Sequence, residues 1–377
     1  MVSVSVEAID GVIAAALRGE PVHLLPGEQA ALLVERVHYH GVAGLLGQKE
    51  APFAGWPEDA ARAIRQEAFA ATIWELRHRQ LLGLLLAAFA AAAIPARLLK
   101  GTALAYSLFA VPAARSRGDS DLLIRPADLA RARTILGQQG FQCDESGDDG
   151  FALQEPWSYC GKEAVAHHID LHWQVLNTPA LAGVLRTEEC FDDPVALPDL
   201  SPNAFAMNRP LTLVHACVHR SMHFTSPYFV DGRQYFGGDR LIWLYDIHLL
   251  GEAMTPSEWA RFTALASERG VAGVCLDGLL TAQRFLSSKL PEDEIATLRR
   301  SPSAAPAYLN SRQFGRAWED LKAMPGMRAK LGFARSRTFP SASFIRDKYP
   351  QLARLPLALL YARRMIDLVR PRPRADR

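Results

Sequence analysis

The chain has 377 residues, enough for two or three domains with ample core. Hydrophobic residues make up 49% and charged residues 22%, an ordinary globular balance. The net charge is only +2, so no protein-wide field recruits nucleic acid, and a DNA- or RNA-processing role is disfavoured.

Residues 1–93 read as helical. Val12, Ile13, Ala16 and Leu17 form one apolar stripe, and Leu32, Leu33, Val37 and Val42 continue it past Pro21 and Pro26. Glu7 and Asp10 stand where a signal peptide would carry basic residues, so none is expected. Trp56-Pro57-Glu58-Asp59 predicts a helix start, with acids in the first turn, and the helix is expected to run to Ala93. Its apolar run, Leu81 to Ile94, is shorter than the roughly 20 residues a membrane span needs. A cytoplasmic protein without a transmembrane segment is expected. The scattered cysteines (Cys143, Cys160, Cys190, Cys217, Cys275) read as reduced packing residues.

The pattern changes at Ile94. Arg97-Leu98-Leu99 predicts a short strand, Gly101-Thr102 a helix start, and Asp121 to Ile124 a buried strand. Pro126 to Leu136 predicts a helix closed by Gly140. Phe141 to Cys143 and Phe151 to Leu153 are candidate strands around an acidic turn, Asp144 to Gly150. Val165 to Trp173 reads as the last strand, with His168, Asp170 and His172 on one face. This mixed α/β core covers about 94–178, inside a domain placed at 94–200.

Helices return over 201–369: Leu211 to Met222, Leu241 to Leu250, Ser257 to Arg269 and Val271 to Leu286. Phe224 to Gly238 reads as an aromatic, glycine-containing loop able to cover a site. Leu355 to Val369 predicts a packed last helix with a basic edge, and 370–377 a basic tail. Whether that helix and tail meet a partner or a membrane surface is left open.

The chemistry concentrates between Lys100 and Asp170. Asp119 and Asp121 alternate along one strand, so they share a face. Two adjacent carboxylates repel unless a cation lies between them. Oxygen ligands favour Mg²⁺, which commonly arrives with substrate phosphates. Upstream, Gly101 and Thr102 open a helix whose N–H groups can hold phosphate, and Lys100 stands beside them. Asp170, between Ile169 and Leu171, is the candidate third acid.

Together these segments resemble the DNA polymerase beta-like nucleotidyltransferase superfamily. More closely, Leu99-Lys-Gly-Thr-Ala-Leu104, Arg115-x-x-x-Asp119-x-Asp121-Leu-Leu and Ile169-Asp-Leu-His-Trp173 look like a bacterial family of largely uncharacterised nucleotidyltransferases. The resemblance implies an α+β fold with a polymerase beta-like core between helical regions. It implies that Asp119, Asp121 and Asp170 bind Mg²⁺ or Mn²⁺ and carry catalysis. Lys100, Gly101, Thr102 and Arg115 would bind the NTP. Two residues depart from the pattern: Thr102 stands where Gly or Ser is usual, and Ser120 where an apolar residue is common.

The implied activity is transfer of an NMP to an acceptor hydroxyl or phosphate, with release of pyrophosphate. Lacking a polybasic stripe, the chain is expected to use a small-molecule, peptide or protein acceptor in preference to nucleic acid. The alternatives are a non-catalytic NTP-binding interaction protein and a metal-dependent phosphohydrolase. Pocket candidates are His168, His172, His215, His219, Arg240 and Asp246. His168 and His172 are read as orienting Asp170 or touching substrate in preference to binding zinc. His215, His219 and His223, four apart, are read as a polar helix stripe facing a cleft, with a ligand or core role as alternatives. Asp239, Arg240 and Asp246 form either an ion-pair network or part of the cleft.

Overall fold

A computed structural model describes residues 5–22, 28–48, 53, 55–144, 151–161, 165–224, 227–230, 233–301, 306–311, 313–340, 342, 345–346, 349–352 and 354–369. The tail at 370–377, Pro26 and most of the Asp144–Gly150 turn lie outside them. The fold is α+β. Four helices come first: α1 (Val6–Arg18), α2 (Glu28–His40), α3 (Ala43–Gly47) and α4 (Glu58–Ala91). Ser5 caps α1 through its side chain, and Gly19 closes it in the left-handed conformation. The long helix α4 starts at Glu58, as the Pro-acid signal predicts, and stops two residues short of Ala93.

A seven-stranded mixed sheet follows, built from β1 (Ala96–Leu98), β2 (Asp119–Ile124), β3 (Gln142–Cys143), β4 (Gln154–Cys160), β5 (Ala166–His172), β6 (Val195–Ala196) and β7 (Phe205–Ala206). The strand order is β3-β4-β5-β2-β1-β7-β6. Between strands lie α5 (Lys100–Ser107) and α6 (Leu129–Gln138). Three sequence expectations are corrected here. Phe151 to Leu153 is not a strand; Gln154–Cys160 is, even though it contains Pro156. Proline is tolerated because β3 ends before it, and the Asp144 N–H donates to the Pro156 carbonyl instead. The strand at Val165–Trp173 is not the last, since β6 and β7 extend the sheet beyond β1. The helix expected from Pro126 begins as a 3₁₀ turn, Pro126–Asp128, before α6.

The C-terminal part opens with α7 (Arg209–His223), α8 (Leu241–Ala253), α9 (Pro256–Glu268) and α10 (Ala272–Leu286). Asn208 caps α7, and Thr255 with Glu258 forms a capping box on α9. The segment read as the loop Phe224 to Gly238 instead carries a hairpin, β8 (Pro227–Val230) and β9 (Arg233–Phe236). Its aromatic and β-branched residues, Tyr228, Phe229, Val230 and Tyr235 among them, suit paired strands. Among the described residues, no helix is long and apolar enough to cross a membrane.

Two apolar clusters lie on opposite faces of β2. Leu122 and Ile124 join Leu81, Leu82, Leu85, Leu86 and Phe89 of α4. Leu123 joins the other cluster, where α1–α3 pack with α7–α10. Side-chain alternation therefore turns Asp119 and Asp121 to the α7 side and Ser120 to the α4 side. The approach to β2 is fixed by a close backbone contact: a Cβ at Gly44 of α3 would lie 2.8 Å from Ala114 Cα and 2.9 Å from the Ala113 carbonyl. Neither backbone atom can rotate away. Gly44→Ala is expected to lower stability by about 1–3 kcal/mol, read from the urea unfolding midpoint.

Candidate active site

Strands β2 and β5 run parallel, with Asp119 opposite His168, Asp121 opposite Asp170, and Leu123 opposite His172. Since partners in register share a face, three aspartates and two histidines line one patch. One ligand-capable atom each from Asp121, Asp170 and His172 lies within 4.8 Å of the others. His172 Nε2 stands 2.9 Å from Asp121 Oδ1, and the ring is buried. Gln154, on β4, donates to Asp170 Oδ2 at 3.3 Å. Asp119 is outside this tight group, one row along, exposed at the rim beside the half-exposed His168.

The start of α5 abuts the patch. The Leu99 N–H donates to the Asp121 carbonyl, pinning the helix start to β2. Lys100, the first helical residue, has φ +46°, a left-handed conformation that a lysine rarely adopts. Its ammonium pairs with the Asp121 carboxylate. Burial alone would raise the Asp121 pKa; Lys100 and His172 outweigh it and hold this carboxyl far below the ordinary range. Asp119 moves the other way, pushed up by the surrounding protein and by the Asp121 charge. The first N–H groups of α5 lack intrahelical acceptors, as at any helix start, and present a positive dipole end.

Gly101 and Thr102 divide these roles. A Cβ at Gly101 would lie 3.5 Å from the Arg115 guanidinium and 3.4 Å from Arg117, so both arginines flank the helix start. Thr102 turns its hydroxyl to the α4 side, 2.7 Å from Ser120 Oγ. The two departures from the family pattern therefore bond to each other. His78 of α4 adds a 2.6 Å contact to Ser120, and Arg117 donates to Thr102 Oγ1 and to Glu75. The sequence reading missed this buried network behind the acids. Its signal was Glu75 and His78, three apart on the α4 face that buries Leu82 and Leu85.

Arg115 is committed elsewhere. Its Nε and Nη2 donate to Asp246 of α8 at 2.8 and 2.7 Å, and both side chains are buried. Burial pushes the Asp246 carboxyl up, and Arg115 opposes that shift. Asp239 pairs with Arg220 at 2.5 Å, while Arg240 donates to the Tyr39 carbonyl and lies over Trp243. Of the two readings for Asp239, Arg240 and Asp246, the single ion-pair network is replaced by three separate attachments, because the side chains reach Arg220, the Tyr39 carbonyl and Arg115 respectively.

The histidine stripe on α7 splits. His215 is buried, with Lys100, Asp121 and His172 as its charged and polar surroundings. Burial, reinforced by Lys100, pushes it down to about 3, so it is neutral. Its Nε2 has no hydrogen-bond partner among the described residues. His219 and His223 instead join an aromatic group. His219 meets Trp243 edge-on, His223 stacks on it at 5.1 Å, and Tyr228 of the hairpin closes the group.

The donor set suits a hard divalent cation. Two carboxylates and an imidazole converge, Asp119 adds negative charge, and Lys100 already places a cation on Asp121. A parallel pair of strands carrying paired aspartates, beside a helix start with a lysine, fits a nucleotidyltransferase-like protein. The chain belongs to the uncharacterised nucleotidyltransferase family, whose model matches residues 26–287, from near the start of α2 to just past the end of α10. No curated protein matches it.

Proposed function

We propose that the protein is a metal-dependent nucleotidyltransferase, moving an NMP from an NTP to an acceptor hydroxyl or phosphate and releasing pyrophosphate. The observation that carries this reading is the side-by-side register of Asp121 and Asp170, beside the α5 N-terminus whose Lys100 pairs with Asp121. Asp121, Asp170 and His172 would hold Mg²⁺ or Mn²⁺, with Asp119 as a rim carboxylate. A bound divalent ion supplies charge neutralisation at the phosphates.

The chain's own groups do the rest. Lys100 and the N–H groups of Gly101 and Thr102 bind the leaving phosphates, ATP being one NTP among the candidates. An oxygen of Asp170 takes the acceptor proton as the acceptor attacks the α-phosphorus. Arg115 serves the site indirectly, anchoring the segment before β2 to Asp246. The helical regions at 1–93 and 201–369 would shape the acceptor pocket, with His168, His215 and His219 on its sheet and α7 walls. The acceptor classes that fit are a small molecule, a peptide or a protein hydroxyl.

The test uses α-labelled NTPs with Mg²⁺ or Mn²⁺ and host lysate, comparing the wild type with Asp119→Asn/Asp121→Asn. Label transfer that disappears in the variant supports the reading and reveals the acceptor. Label that persists in the variant rejects the role of these aspartates. NTP binding without pyrophosphate release indicates the non-catalytic alternative.

A further inference from the structure

We propose that Lys100 is a tethered counter-ion that occupies the divalent-cation position on Asp121 and yields it when a polyphosphate arrives. This rests on the nucleotidyltransferase reading above and adds an order to it: metal and NTP enter together. The ammonium pairs with Asp121, and Asp119 and Asp170 are its other electrostatic neighbours. A single positive charge thus faces three carboxylates, and it contacts the same oxygen, Asp121 Oδ1, that His172 Nε2 approaches. An ammonium and a divalent ion cannot both sit against one carboxylate oxygen without repulsion.

The backbone supports this assignment. Lys100 is held at φ +46°, a conformation suited to glycine, so the lysine is kept there against its backbone preference. It is the first residue of α5, so its side chain starts beside the N–H groups that would receive phosphate. In the proposed exchange the ammonium leaves Asp121 for that position by rotation of the side chain, the α5 backbone staying in place. The buried His215 Nε2, with no partner among the described residues, lies in the same surroundings and marks a place built for a further ligand.

The consequence is coupling. Without nucleotide, an incoming cation must displace the ammonium from Asp121. With nucleotide, the phosphates receive the ammonium and Asp121 is released. By linkage, each ligand then tightens the other by the same factor.

Mn²⁺ binding to the full chain, followed by the EPR signal of the free ion, tests this without activity. Lys100→Gly suits the backbone, and Lys100→Met keeps the aliphatic stem. Both variants are expected to bind Mn²⁺ about ten-fold tighter than wild type in the absence of nucleotide. A non-hydrolysable NTP analogue is expected to tighten Mn²⁺ about ten-fold in wild type and to have little such effect in either variant. Unchanged or weaker Mn²⁺ affinity in both Lys100 variants overturns the proposal while leaving the nucleotidyltransferase reading intact. Mn²⁺ affinity that survives Asp121→Asn overturns that reading itself. If neither wild type with the analogue nor the Lys100 variants bind Mn²⁺, both fall.

Discussion

Asp121→Asn is expected to reduce pyrophosphate release from NTP by about a thousand-fold or more, equivalent to about 4 kcal/mol of transition-state stabilisation. Three losses coincide in that one substitution. The carboxylate in register with Asp170 loses its charge, Lys100 loses its ion pair, and His172 faces an amide. Asp119→Asn removes the same chemical group from a position outside the tight cluster. Its effect is therefore expected to be smaller, about ten- to a hundred-fold. Steady-state pyrophosphate assays on both single variants, with circular dichroism as a check on folding, measure the difference. Equal losses would mean that the two aspartates act as one unit, with Asp119 as close to the reacting groups as Asp121.

Asp246→Ala is expected to cost about 3–5 kcal/mol of stability, because it strands the buried Arg115 guanidinium without its carboxylate. The pair joins the segment before β2 to α8 across 131 residues of chain. Activity should fall as well, since that segment leads directly into Asp119. Urea unfolding gives the stability loss. In the cycle with Arg115→Ala, the double variant should cost clearly less than the sum of the singles, because no buried charge is left unpaired. Additive costs would place the two side chains in independent environments.

Much of the site could be read from residue order alone. Alternation within Asp119-Ser-Asp121-Leu-Leu-Ile124 gives the face of both aspartates, and the apolar neighbours of Asp170 mark a second buried strand. Strand register is not local information, however. Only the pairing of β2 with β5 sets Asp170 beside Asp121 and leaves Asp119 beside His168. For the same reason His172, read as orienting Asp170 or touching substrate, emerges with a ring nitrogen within 4.8 Å of carboxylate oxygens of Asp121 and Asp170. The partner of Arg115 was illegible because attraction between charges distant in sequence leaves no periodic mark. Strand β4 was hidden by Pro156, and β6 and β7 are two residues each, too short for alternation to register. Thr102 and Ser120 looked like unrelated departures until the fold set their hydroxyls 2.7 Å apart.

The cluster that unites α1–α3 with α7–α10 has a consequence for biosynthesis. Tyr39 meets Tyr228 across 189 residues, the Leu241 N–H donates to His40 across 201, and Arg18 reaches the Phe285 carbonyl across 267. During translation at about 5–20 residues per second, the first helices wait roughly 10–50 s for those partners to leave the ribosome. Throughout that interval Ile9, Ile13, Leu33 and Val37 lack part of the surface that buries them in the finished molecule. The nascent amino-terminal segment is thus an expected client of co-translational chaperones, and maturation is completed only once α10 has emerged.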